Sequence, residues 1–158
     1  MYLPSLREEV SQGDVFDALA YRYVYQRPDA PEPEIMVRVI RAMLLTADCE
    51  YDKPISAIVY VGEVRLMSEI SPSTVGNVRA HKTYYAFPLE AHGSGLEESY
   101  VDFRRIFRFD KNLIAASASA SGRILSLNDT ARLALQEQLS LFFGLERETK
   151  HTEGQAGG

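Results

Sequence analysis

The feature that most constrains this chain is an apolar stripe near its end. Leu127, Ala131, Ala134, Leu135, Leu139, Phe142 and Phe143 recur at steps of three and four residues, the spacing of one helical face. Such a face must lie on something, so the chain needs a packed partner layer upstream. Ser126 and Asp129 have capping-box spacing, with Asp in place of the usual Glu or Gln, and Gly144 stands where a C-cap is expected. The spacing predicts one amphipathic helix over roughly 127–144.

The partner layer reads as strands. Ser11-Gln12-Gly13-Asp14 is a turn signal, and from Val15 to Tyr25 residues alternate, with Val15, Leu19, Tyr21, Tyr23 and Tyr25 on one parity and Asp17 the exception. Three prolines and three acids make 26–34 a loop. Met36 to Thr46 is nearly unbroken apolar except for Arg38 and Arg41, which suggests a strand buried on both faces, though a helix also fits a run of that length. Ile55 to Met67 is rich in β-branched residues and reads as a central strand. Residues 71–77 read as a turn-rich connection and Val78 to Leu89 as a strand. Tyr100 to Phe109 alternates, with Val101, Phe103, Phe107 and Phe109 expected on one face. Ala115 to Gly122, AASASASG, reads as a flexible link. The expected fold is mainly β (α+β): a small, strongly bent sheet or SH3-like barrel of about five strands, with one C-terminal amphipathic helix. Residues 1–10 form a polar lead-in, 11–144 a single domain, and 145–158, polar and free of aromatics, a disordered tail.

Composition narrows the function classes. The formal net charge is -5, which argues against a generic binder of phosphate backbones but leaves room for a local basic groove. Cys49 is the only cysteine, so no intrachain disulfide forms, in keeping with a reducing, cytoplasmic setting. The opening residues lack the apolar run of a signal peptide, and no stretch approaches the ~18 apolar residues of a membrane span.

Three passages resemble the MazF/PemK family of toxin–antitoxin systems, whose members are small SH3-like barrels. Gln12-Gly13-Asp14-Val15 looks like the glycine–acid start of the family's first strand. Arg41-Ala42-Met43-Leu44-Leu45-Thr46 looks like its buried second strand. Tyr100-Val-Asp-Phe-Arg-Arg-Ile, then Arg123-Ile-Leu-Ser-Leu and the final helix, look like its last strand, linker and helix. The resemblance implies metal-independent cleavage of single-stranded RNA with no cofactor, a homodimer, and a protein partner such as an antitoxin. In the family an Arg by the second strand and a Ser or Thr by the third do the chemistry. Here Ile40 falls at the Arg position, and neither Ser nor Thr stands near Gly62-Glu63-Val64. Arg41 and Glu63 are the nearest catalytic candidates, and the catalytic pair itself is not carried over. The other expectation on the same fold is therefore a non-catalytic protein-interaction module, of the kind a phage or mobile element encodes.

Binding candidates are the basic residues Arg38, Arg65, Arg79, Lys82, Arg104 and Arg108. If the segments around 79–82 and 104–108 pair, they make a basic surface beside Tyr84 and Tyr85, which suits single-stranded nucleic acid. The other reading is a solvated face neutralised by Glu97, Glu98 and Asp102. Glu63 and Arg65 end a strand of Ala57, Val59 and Val61, either as a site or as the place where the strand surfaces. Asp48, Glu50 and Asp52 would share a face if extended, as a cation site or as a solvated turn. Cys49 among these acids lacks the positive field of a nucleophile and reads as a buried structural thiol. No phosphate loop, CxxC or HExxH motif is present.

Overall fold

A computed structural model describes residues 1–29, 32–54 and 57–155, with side chains through Gly144. Its core is a six-stranded, open antiparallel sheet: β1 (Asp14–Tyr25), β2 (Glu34–Leu44), β3 (Ile58–Leu66), β4 (Ala86–Leu89), β5 (Ser99–Asp110) and β6 (Arg123–Ser126), in the order β4-β5-β3-β2-β1-β6. The sheet is neither a closed barrel nor five-stranded. The sixth strand is β6, read from sequence as a link; it pairs with β1 through Asp14↔Ser126 and Val15↔Leu125. Among the described residues, α1 (Asp48–Tyr51), α2 (Pro72–Arg79) and α3 (Lys111–Ser119) lie between strands, and α4 (Asp129–Gln155) follows the last of them. No helix among the described residues is long and apolar enough to cross a membrane.

The stripe on α4 lies where its periodicity requires. Leu127, Ala131, Leu135, Leu139 and Phe142 are buried against Val15, Met43, Phe87, Val101 and Phe103 on one sheet face; Phe143 is exposed. The N-cap differs from expectation. Ser126 belongs to β6 and donates to Asp14, while Asn128 accepts from the Ala131 amide and caps the helix. The helical backbone runs past Gly144 to Gln155, through part of the segment expected to be disordered; 156–158 lie outside the described residues.

Two segments read as turns or links are helices. Pro72 at the first helical position has no amide to leave unpaired, so it starts α2 well, and Val78 anchors that helix in the core rather than opening a strand. Only Ala86–Leu89 of the expected 78–89 strand pairs, with β5. The small residues of 115–119 continue α3, whose N-terminus is capped by Asp110 and whose Ile114 is fully buried. Small side chains let this helix lie close to β1 and β5, against which it packs through Ile114 and Ala118. The expected start of β3 at Ile55 lies outside the described residues.

One irregularity repositions the chemistry. Gly62 pairs with Ile106, yet the next residue, Glu63, pairs with Asp102, so 103–105 loop out of β5. The expected single face of Val101, Phe103, Phe107 and Phe109 is therefore split. Val101 and Phe103 pack under α4, and Phe107 and Phe109 join the opposite cluster with Phe16, Leu19, Ile40, Val59 and Val61. A Cβ on Gly62 would fall 2.5 Å from Val101 Cγ1, so the close crossing at this bulge requires glycine.

The expected double burial of β2 fails over its first half. β2 pairs with β3 only from Ala42 to Leu44, whereas it pairs with β1 out to Tyr25↔Glu34. Residues 34–39 are all exposed. Ala18–Tyr25 and Glu34–Arg41 thus form a two-stranded ribbon that leaves the sheet. Its inner face packs Tyr21 against Phe107, with ring centroids 4.7 Å apart.

Candidate functional site: a charged stripe and a free ribbon

Cross-strand neighbours Glu63 and Asp102 bring two buried carboxylates side by side. Arg38 reaches Glu63 Oε1 at 2.5 Å from β2, and Arg105 reaches Oε2 at 3.1 Å from the bulge. Arg104 holds Asp102 with both Nε and Nη2 at 2.9 Å and lies over the Tyr85 ring, 3.9 Å from its centroid. Arg65 stands 3.8 Å from Asp102 and donates to Glu69 at 2.6 Å. Four arginines thus surround two buried acids between the apolar cluster of Phe16, Val59 and Phe109 and that of Met67, Val78 and Tyr100. Removing one partner from such a cluster strands a desolvated charge.

The expected site residues divide on this geometry. Arg38, Glu63, Arg65 and Arg104 come together. Arg41 does not: it neighbours Ala42, the register partner of Glu63, and so projects to the opposite sheet face, where its Nε meets Asp17 at 2.7 Å. Arg79 makes two 2.6 Å bonds to Glu98 on α2's side, and Lys82 is exposed at the turn after α2. The segments 79–82 and 104–108 do not pair as strands. Arg108 lies at the far end of β5. Sequence reading passed over Asp102 as a mere neutraliser and gave no role to Arg22; a lone cation inside an aromatic strand was the available signal.

The acid cluster disperses. In α1, Asp48 accepts from the Gln12 amide at 2.7 Å and is ion-paired to Arg132, while Glu50 pairs with Lys53 at 2.5 Å. Cys49 is exposed, contrary to the buried thiol expected from sequence, because the helical turn points it outward. Among the described residues no group of three His, Cys, Asp or Glu side chains could hold a metal ion.

The hydrogen bond from Arg65 holds the Glu69 carboxyl below its ordinary value. The folded state therefore binds that proton more weakly than the unfolded chain does. The resulting stabilisation is present above the unfolded value of about 4.3 and is lost as pH falls through the lower folded value. Urea midpoints measured downward from pH 6 should fall less steeply in Glu69→Gln than in the parent protein.

The ribbon presents a different surface. Register pairs Ala20↔Val39, Arg22↔Val37 and Val24↔Ile35 share its outer face. Val24, Ile35, Val37 and Val39 are 70%, 74%, 59% and 63% exposed. β6 pairs with β1 only as far as Phe16, so among the described residues no strand pairs with the side of β1 away from β2 from Ala18 to Tyr25. Such an edge is ordinarily blunted by proline, lysine or short length; this one carries neither residue and a single charge, Arg22.

No protein-family model matches the chain, and no curated protein matches it significantly.

Proposed function

We propose that the chain is a non-catalytic interaction module whose β1–β2 ribbon receives an extended segment of a protein partner as an added strand. The observation that carries this reading is the free edge from Ala18 to Tyr25, flanked by an outer face of exposed β-branched residues. Strand addition needs both: backbone groups supply affinity, and alternate side chains supply specificity. Four β-branched side chains left in water on a projecting hairpin cost stability with no return inside the monomer.

The other expectation, cleavage or binding of RNA by a MazF/PemK-like protein, has less support. It asks Arg41 and Glu63 to act at one phosphate, and they project to opposite faces with carboxylate and guanidinium partners of their own. Ten of the twelve arginines with described side chains are ion-paired, and the net charge is -5, so little cationic surface remains for a phosphate backbone.

A photo-crosslinking residue at Val37 separates the readings. In an extract of the source cells it should give a discrete protein adduct joined through an extended segment. The same residue at Leu133, exposed on α4, should not give that adduct. RNA adducts at Val37, or cleavage of mixed single-stranded RNA in EDTA that Glu63→Gln abolishes, would overturn the module in favour of the nuclease.

A further inference from the structure

Ten of the twelve described arginines sit in ion pairs; Arg22 and Arg108 are the two that do not. They come from distant parts of the chain, yet both line one cleft of about 330 Å³. Its walls are three consecutive residues of β1, Ala20-Tyr21-Arg22, and three of β5, Arg108-Phe109-Asp110, with Leu113 of α3 at one end. A pocket lined by consecutive strand residues lies along a strand edge, because alternate side chains point to opposite faces. On the β1 side that edge is the free one. On the β5 side, β4 pairs only as far as Asp102, so Arg108 to Asp110 are bonded to β3 alone. The sheet stays open here because α3 fills part of the gap between β1 and β5, with Ile114 buried in it. The carboxylate of Asp110 is engaged, accepting from the Asn112 amide at 2.7 Å as the cap of α3.

We infer that this gap is an anion-selective seat, and that the segment added to β1 is acidic, with one Asp or Glu side chain held between Arg22 and Arg108. This inference rests on the strand-addition reading above and gives it a chemistry. A guanidinium binds a carboxylate through paired N–H donors in a fixed fork, and two of them neutralise one anion with geometric selectivity. Tyr21 and Phe109 provide apolar walls for the stem of that side chain, and the outer face of Val24, Ile35, Val37 and Val39 takes apolar residues at alternate positions. The favoured segment alternates apolar residues and carries a carboxylate. A polyphosphate chain is disfavoured, since only one pair of free guanidinium groups meets it and the rest of the protein repels it.

Selection from a phage-displayed library of random peptides on the full chain tests this. Recovered peptides should share alternating apolar residues and a fixed Asp or Glu. Selection on the Arg22→Gln/Arg108→Gln double variant should keep the alternation and lose the acid. A synthetic peptide with the consensus acid should bind the double variant about tenfold more weakly than the parent protein, and its amide analogue should bind both alike. Both substituted side chains are exposed and unpaired, so the variant should unfold at the parent's urea midpoint. Alternating peptides without an acid, or acidic peptides that both proteins select, would overturn the anion seat and leave strand addition standing. Mixed single-stranded RNA held through the same two arginines would overturn the peptide assignment. Absence of any alternating consensus, or peptides indifferent to Val37→Lys/Val39→Lys, would overturn strand addition itself.

Discussion

Replacing Asp14 by alanine is expected to lower the unfolding free energy by about 3–5 kcal/mol, the usual cost of breaking a buried ion pair from one side. Asp14 is fully buried at the start of β1. Its Oδ2 accepts from the Ser11 amide and from Arg123 Nη1, each at 2.9 Å, and its Oδ1 accepts from the Ser126 hydroxyl at 2.5 Å. Arg123, largely buried itself, also donates to the carbonyls of Arg7, Glu8 and Glu9. One carboxylate therefore joins β1 to β6 and, through Arg123, holds the N-terminal segment across them. Without it the guanidinium keeps its burial and loses its counter-charge. Equilibrium urea unfolding checks this, and Asp14→Asn should cost less because the amide retains an acceptor. A loss under about 1 kcal/mol in Asp14→Ala would mean that the pair is solvated and that β6 is held by other contacts.

The second large effect is expected at Leu135, fully buried at the centre of the α4 stripe. Leu135→Ala should cost about 2–5 kcal/mol, combining lost apolar transfer with the cavity left among the surrounding side chains. Leu133→Ala, one turn face away and 61% exposed, should fall within about 0.5 kcal/mol of the parent. Unfolding curves of the pair measure how far α4 is held by the sheet. Equal small effects would mean that the helix is undocked in solution.

Elements whose pattern depends on one neighbour layer were legible in the sequence. β1, most of β3 and the stripe of α4 form where composition and periodicity put them, except that the register shift between Phe16 and Leu19 splits the expected face of β1, sending Val15 under α4 and Leu19 and Tyr21 to the opposite cluster. Elements decided by tertiary contact were not. AASASASG has no side chains to announce a helix, and α3 forms because Asp110 caps it and Ile114 finds a buried slot. β6 is four residues long and becomes a strand only because β1 lies beside it. The face of Phe107 and Phe109 was misassigned because a three-residue bulge cannot be read from alternation on either side of it. Ser126 and Asp129 had capping spacing, but the hydroxyl was drawn away by a buried carboxylate.

The candidate sites follow the same division. Arg38, Glu63, Arg65 and Arg104 stood out as charges within apolar strands, and they converge because a buried acid on one strand must find cations on its neighbours. Their partner Asp102 looked ordinary in sequence. Its burial comes from the bulge that turns it toward Glu63. Arg41 was misplaced by one residue of strand parity, which is enough to send a side chain to the other face. The ribbon escaped notice because an apolar strand that leaves the sheet has the same composition as one buried within it. Burial was expected from Met36 onward on hydrophobicity, and the structure instead exposes 36–39.

Amide hydrogen exchange along β1, with and without a saturating library-selected peptide, addresses the docking ribbon most directly. In the free protein the amides of Ala18–Tyr25 that point away from β2 should exchange rapidly, in alternation with protected ones bonded to it. With the peptide bound, those alternate amides should become protected. Unchanged exchange along Ala18–Tyr25, with new protection confined to the stripe of Arg38, Glu63, Asp102 and Arg104, would contradict docking at the ribbon and place recognition at the charged stripe instead.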